Sequence, residues 1–339
     1  MTIALRLHGK RDLRLHGEPE PTPTPDEILL RVTAVGLCGS DLHWFAEGGI
    51  GDAVLTRPLV LGHEFVGLVE SGPRAGDRVA LDPAVSCGRC AACLAGDDNL
   101  CLACRFAGHG TTDGALRELM TWPERLAHRV PDSLSDVEAA LLEPLGVALH
   151  ALDLGPVGPG ATAGVFGCGP LGLLLVQLLR LVGAGVLVAT DPLAHRAAAA
   201  EAMGATHVRT TGRAGAELLP EELAGSGLDV AFEVAGDDDA LATAIDTLGP
   251  GGRLVLVGIP SSDRSCFSAS TARRKGLTLS LCRRMKPTDL PRAIRLAENG
   301  RVQLAPLVSE RFSLSQGSEA FAALSERRAL KVVVEPQAT

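Results

Sequence analysis

A mixed α/β fold in two domains, β-rich at the start and a doubly wound parallel sheet through the middle, is what three features of this 339-residue chain predict. The length exceeds what one hydrophobic core usually serves. The first 60 residues read as short strands broken by turn residues, and from about Gly160 strand, glycine turn and helix alternate.

The early strands are IALRL, DLRLHG and EILLRVTAVG; the stretch EPEPTPTPDE between the last two can continue neither a ladder nor a helix. Later, ATAGVFG reads as a strand, PLGLLLVQLLRLVGA as a helix, GVLVATD as a strand and HRAAAAEAMGA as a helix. Strands LDVAFEVAG, RLVLVGI and LTLSLC follow, with the helical run ALATAIDTLG among them. TDLPRAIRLAENG is a helix capped by Thr288 and stopped by Gly300, and KVVVE is the last strand. The apolar stretch from Leu171 to Ala189 is interrupted by Gln177, Arg180, Gly183 and Gly185, so it divides into a buried helix and strand rather than crossing a membrane.

Hydrophobic residues at 46% and charged residues at 21% describe a packed soluble protein. The net charge of −8, scattered Arg and Lys, 3% aromatics and no tyrosine argue against nucleic-acid binding. The N-terminus MTIALRLHGKRDLRLHG lacks the continuous apolar region of a secretory signal, so a cytoplasmic protein is expected.

Four cysteines, Cys87, Cys90, Cys93 and Cys101, stand in CGRCAACLAGDDNLC. Their spacing suits a closed, tetrahedral structural zinc site, whereas two disulfides in so short a loop would need strained geometry and an oxidising compartment. The alternative is a set of free or pairing thiols, with Cys104 as a substitute ligand.

In VFGCGPLG, Gly167, Gly169 and Gly172 form G-x-G-x-x-G between an apolar strand and a helix that Pro170 and Leu171 open. The glycines permit a tight turn, close approach of a pyrophosphate and close helix packing, and the helix N-terminus favours negative charge. Asp191 ends the next strand, where a carboxylate can accept hydrogen bonds from a ribose diol. The constellation favours NAD; Arg196 could soften the repulsion of a 2′-phosphate by Asp191, and flavin is the weaker reading.

Upstream, GLCGSDLH supplies Cys38, Ser40, Asp41 and His43, and LGHEFVG supplies His63 and Glu64. A thiolate, an imidazole and a carboxylate suit a catalytic zinc with one position open, although a single glycine-flanked cysteine is usually a core residue and an isolated His-Glu pair more often a surface or turn element. Asp41 is placed to orient His63 rather than to react. Glu143 in LLEPLGVALHA lies between apolar neighbours and needs a cation or a proton.

These motifs, with HWFAEGGIG and RRKGLTLSLCRR, resemble the zinc-dependent medium-chain dehydrogenase/reductase superfamily over nearly the whole chain, and within it the branch of sorbitol, xylitol and L-idonate dehydrogenases. The resemblance implies a GroES-like β-rich catalytic domain over 1–147 with the structural zinc lobe at about 86–104, an inserted Rossmann NAD domain over 148–282, and a return to the catalytic domain over 283–339. It implies Cys38, His63 and Glu64 around the catalytic zinc, with Glu143 near a water on the metal and exchanging with Glu64 as ligand. A proton route from Ser40 through the nicotinamide ribose to His43, and a homodimer or homotetramer, are implied likewise. Related alcohol dehydrogenases commonly carry cysteine where EPL has Glu143, which points toward polyols.

The expected reaction is reversible oxidation of a secondary hydroxyl of a polyol or sugar acid to a ketone, with Trp44, Phe106 and Arg283 contacting the substrate. The branch often has Phe-Arg-Tyr or Phe-Arg-Phe where this chain has Cys282, Arg283 and Arg284; Arg284 suits an acidic substrate or faces solvent. The rivals are L-threonine dehydrogenase, another zinc alcohol dehydrogenase, and a non-catalytic zinc- and NAD-binding regulator.

Overall fold

Two units separate along the chain: Met1–Gly146 joined with Lys286–Thr339, and Val147–Met285. They are seen in a computed structural model that describes residues 1–211, 215–261 and 264–338.

In the first unit a seven-stranded sheet runs in the order Ala127–Arg129, Arg78–Leu81, Glu64–Val69, Glu27–Gly36, Lys331–Glu335 and Val308–Ser313, and Leu119–Pro123 also pairs with Glu27–Gly36. The C-terminal strand is therefore interior to a sheet begun by the N-terminal half. The strand Glu27–Gly36 alternates half-buried and buried residues as a period of two requires, placing Ile28, Leu30, Val32 and Ala34 inward. Around them a core gathers Leu7, Leu37, Trp44, Phe65, Leu81, Trp122 and Phe321. Thr2–Gly9 and Asp12–Glu18, both predicted as strands, pair antiparallel beside this sheet. Gly36 stands opposite Glu64 on one side and Val333 on the other. A Cβ there would overlap the Glu64 carboxylate and lie 2.9 Å from Lys331 Cε. Glycine thus leaves the slot in which those two side chains meet.

The second unit has six parallel strands in the order His207–Arg209, Val186–Thr190, Thr162–Phe166, Leu228–Glu233, Leu248–Leu256 and Thr278–Leu281. Helices Pro170–Leu181, Ala194–Ala202, Asp238–Thr247 and Ala269–Lys275 alternate with them, as the sequence pattern requires. Asp237 caps the third by accepting from Ala240 N at 2.7 Å, worth about 1 kcal/mol. At its other end Lys275 Nζ donates to the carbonyls of Ile245, Asp246 and Leu248, which would otherwise be left over. The glycine turn behaves as its sequence suggests. Gly167 has φ of +107°, and a Cβ on Gly172 would overlap Gly167 O.

One local expectation changes. The helix Asp289–Glu298 starts after Thr288, but the threonine side chain makes no cap bond; Asp289 Oδ2 instead accepts from Lys286 N at 2.8 Å. Thr288 has helical backbone angles (φ −77°, ψ −16°), whereas a capping side chain needs an extended backbone to turn back onto the first N–H groups of the helix. The stretch Leu171–Ala189 is a helix followed by a strand, and among the described residues no helix is long and apolar enough to cross a membrane.

Candidate metal centres and dinucleotide site

Cys38, His63 and Glu64 come together in the first unit, each offering a ligand atom within 4.8 Å of the others. The strand Glu27–Gly36 delivers Cys38 to the start of helix Gly39–Glu47, and the strand Glu64–Val69 begins at the other two. Asp41 ties these segments together: Oδ2 accepts from Cys38 N at 2.9 Å and Oδ1 from Gly62 N at 3.1 Å. It is 1% exposed, and its Oδ1 lies 3.5 Å from His63 Nδ1. Burial opposes the Asp41 charge, yet facing His63 and accepting two backbone N–H bonds hold its carboxyl below the usual range. Burial likewise opposes an imidazolium, but the same contact raises His63 well above its ordinary value. Ser40 Oγ is 3.4 Å from the opposite ring nitrogen, Nε2, of His63.

Two acids complete the surroundings. Glu143, at the first turn of helix Leu142–Leu154, is buried, and its carboxyl is pushed up to about 8 by burial, with Glu64 nearby adding to the effect. Glu64 meets Lys331 Nζ in an ion pair whose side chains are 1% and 2% exposed. Burial works against the ammonium, but the Glu64 carboxylate raises the Lys331 pKa overall. Sequence reading missed Lys331. The available signal was a lone lysine at the head of the apolar run KVVVE, a position that burial forbids without a partner.

Phe106 stands beside His63 with ring centroids 5.3 Å apart. Trp44, expected at the substrate, is a core residue only 1% exposed. Its Nε1 donates to His109 Nδ1 at 3.3 Å, and the His109 ring meets Phe106 edge to face, so His109 rather than Trp44 continues the aromatic wall. His109 was also missed, because a histidine in the glycine-rich FAGHG carries no spacing signal. His43 Nδ1 and Glu47 Oε1 are 3.0 Å apart, one helical turn from each other. Arg283 is exposed at the end of the second unit, and Arg284 beside it has a positive φ of 56°.

Cys87, Cys90, Cys93 and Cys101 form the second cluster, again within 4.8 Å of one another. The sulfur separations Cys90 to Cys93 of 3.5 Å and Cys87 to Cys93 of 4.0 Å bracket the edge of about 3.8 Å that a tetrahedron with zinc–sulfur bonds of about 2.3 Å would have. All four are free thiols, so the lobe is not a disulfide framework. N–H bonds from Arg89 and Cys90 lower Cys87 to about 6, which favours the thiolate that a metal needs. Cys104 is outside the cluster, its Sγ directed to Arg105 O. Both donor sets therefore fit zinc: one closed and all sulfur, the other mixed and three-membered.

In the second unit Gly167 N donates to Thr190 O, and Asp191 accepts from Cys168 N through Oδ2 and from Leu193 N through Oδ1, both at 2.9 Å. The carboxylate at the strand end thus also clamps the glycine turn, a duty not visible in the sequence. Gly169, Pro170 and Leu171 open the helix, and Arg196 reaches back so that Nη1 would lie 3.7 Å from a Cβ on Gly169.

Known proteins match this arrangement. Residues 24–132 fit the alcohol dehydrogenase GroES-like domain, and residues 170–299 fit the zinc-binding dehydrogenase family. The chain is 36% identical to sorbitol dehydrogenase of Bacillus subtilis over 339 residues, covering 97% of this chain and 96% of that protein. L-idonate 5-dehydrogenase of Escherichia coli superposes with a TM-score of 0.90 at 27% identity, covering 98% of each chain. An Escherichia coli alcohol dehydrogenase solved with NADH gives 0.89 at 25% identity, covering 98% of this chain and 99% of that one. With the fold, the two donor clusters and these matches in agreement, the chain belongs to the zinc-containing medium-chain dehydrogenase/reductase family, in the branch that holds the polyol dehydrogenases.

Proposed function

We propose that this protein is a zinc-dependent, NAD-linked dehydrogenase that oxidises a secondary hydroxyl of a polyol or sugar acid to a ketone. The observation that carries the reading is the cluster of Cys38, His63 and Glu64, one thiol, one imidazole and one carboxylate converging beside the Phe106 ring. When bound, zinc supplies Lewis acidity to the substrate oxygen, and the dinucleotide accepts the hydride with its electron pair.

The chain's own groups do the remaining work. Asp41 Oδ1 faces His63 Nδ1 at 3.5 Å, which favours the proton on Nδ1 and leaves Nε2 for the metal. Ser40, whose hydroxyl sits near that same Nε2, takes the substrate proton and passes it toward His43 and solvent. Cys87, Cys90, Cys93 and Cys101 would hold a second, structural zinc. Glu143, a buried acid, would stand beside the metal and could take the place of Glu64 in holding it. Gly167, Gly169 and Gly172 receive the pyrophosphate, and Asp191 at the ribose position favours NAD over NADP. The naming of relatives as sorbitol and L-idonate dehydrogenases supports the substrate class. The edge strand Thr278–Leu281, with Leu281 76% exposed, supports a homo-oligomer formed through that edge.

The test is a kcat/KM panel of zinc-loaded enzyme with NAD and NADP against xylitol, sorbitol, L-idonate, L-threonine and 2-propanol. Preference for a polyol or sugar acid with NAD is expected. Preference for threonine or a simple alcohol, or no turnover with either dinucleotide, overturns the reading.

A further inference from the structure

Glu233 ends the strand Leu228–Glu233 in the second unit, only 3% exposed, and none of the chemistry above uses it. Its Oε1 accepts from Ala235 N at 2.8 Å and from Gly236 N at 2.7 Å, so the chain leaving the strand folds around its own preceding carboxylate. Two successive N–H groups thus converge on one oxygen, and the acceptor is a side chain of the same turn. The main chain adds to this: Glu233 O accepts from Val257 N and Gly258 N of the neighbouring strand end.

Around this turn, side chains are absent where strand ends meet. A Cβ on Gly167, the first glycine of the dinucleotide motif, would lie 2.8 Å from Ala235 N and 3.1 Å from Ala235 Cβ. A Cβ on Gly258 would overlap Gly236 N and lie 2.9 Å from Glu233 Oε2, and one on Gly236 would overlap Ile259 O. Three strand-end turns, at Gly167, Ala235–Gly236 and Gly258–Ile259, therefore pack backbone to backbone, with the Glu233 carboxylate in their midst. In an open parallel sheet a dinucleotide binds at the carboxyl ends of the strands, and Gly167 allows the tight turn on which the pyrophosphate loop depends. The position of Ala235 decides how much room Gly167 has.

We propose that Glu233 is a positioning residue for dinucleotide binding, holding the 234–237 turn by its carboxylate so that the Gly167 turn keeps the shape a pyrophosphate can approach. What matters is a hydrogen-bond acceptor at the reach of a glutamate, not a charge and not bulk. The inference rests on the dinucleotide reading of this unit.

The experiment compares Glu233→Gln, Glu233→Asp and Glu233→Ala with wild-type holoenzyme, measuring NADH affinity by fluorescence titration and KM for NAD against kcat. Glutamine keeps the acceptor at the same reach, so its affinity should stay within about threefold of wild type. Aspartate keeps the charge but falls one methylene short, and it should weaken NADH by about tenfold or more, as should alanine. The KM for NAD should rise in step while kcat at saturating NAD changes less than threefold. Aspartate binding NADH like wild type, or glutamine losing as much as aspartate, overturns the proposal even where the alanine variant fails to fold. Wild type that binds neither NADH nor NADPH overturns the dinucleotide reading itself, and this inference with it.

Discussion

Replacing Lys331 by methionine deletes one charge from a pair whose side chains are 2% and 1% exposed. Methionine nearly conserves the volume, so the loss is electrostatic rather than a cavity. Glu64 then stands buried and unpaired, which costs about 3–5 kcal/mol when a buried pair loses one partner. At about 2–4 °C per kcal/mol for a unit of this size, chelator-stripped Lys331→Met should melt about 6–20 °C below stripped wild type in the transition of the first unit. Zinc restores a positive charge beside the same carboxylate, so the deficit should shrink to a few degrees in the reloaded protein, and the zinc affinity of the variant should rise correspondingly. Adding Glu64→Gln to Lys331→Met should recover most of the stripped-state loss, because neither charge is then left alone. Scanning calorimetry with and without zinc measures all of these. A stripped variant within about 2 °C of wild type, or a deficit that zinc does not change, would refute the claim that Lys331 and the metal neutralise one carboxylate.

Further outcomes can be read from the same structure. Cys38→Ala should lower metal content from two zinc ions per chain to one and abolish turnover in a folded protein, whereas Cys93→Ser should lose the other ion and lower thermal stability; metal analysis with calorimetry separates them. Asp191→Ser should cut the kcat/KM ratio of NAD to NADP by about tenfold or more and loosen the clamp on Cys168 N; unchanged selectivity would shift the cofactor choice to Arg196. Burial raises Glu233 from 4.5 to about 7, so the folded chain keeps a proton that the unfolded chain has released. Stability from this group is full below the unfolded value and falls by about 3 kcal/mol as pH rises from there through 7, and unfolding titrations of wild type against Glu233→Gln should diverge over that window. If Arg283 donates to substrate hydroxyls, Arg283→Ala should lower kcat/KM for a polyol by about ten- to a hundredfold while sparing 2-propanol, at about 0.5–1.5 kcal/mol for each hydrogen bond lost; equal loss on both would assign Arg283 to the fold or the cofactor.

The elements that the sequence revealed are those with a local physical code. Period-two burial in Glu27–Gly36, Pro170 after a glycine turn, and Asp191 at a strand end are each decided within a few residues, and each appears where expected. The cysteine cluster was legible for the same reason, because four thiols within fifteen residues can meet without help from the rest of the chain. Lys331 was not legible. It lies 267 positions from Glu64, and only the placement of the C-terminal strand next to Glu27–Gly36 brings them together. Trp44 misled in the opposite sense: adjacent to a catalytic motif, it looked like a substrate contact, but its large apolar surface is spent in the core and only its N–H reaches outward to His109. Thr288 had the right residue type for a cap, but its backbone is already helical (φ −77°, ψ −16°) rather than extended, so its side chain caps nothing.

What these long-range contacts add is charge balance at the mixed site. Asp41 and Glu64 are buried acids, and Glu143 is a third whose carboxyl is raised to about 8, so near neutral pH it keeps its proton. Lys331 answers Glu64, and His63 answers Asp41, each cation held by a specific oxygen. A zinc ion entering this set must find His63 deprotonated and Cys38 as thiolate, so binding releases protons and affinity rises with pH. Those protons leave while Asp41 keeps its two backbone N–H bonds, so the frame that carries the ligands stays fixed as their charges change. The buried Asp41 carboxylate therefore acts as scaffold for both ligand segments, and Lys331 and Glu143 adjust the charge around it, one as a permanent cation and the other as an acid able to give up its proton.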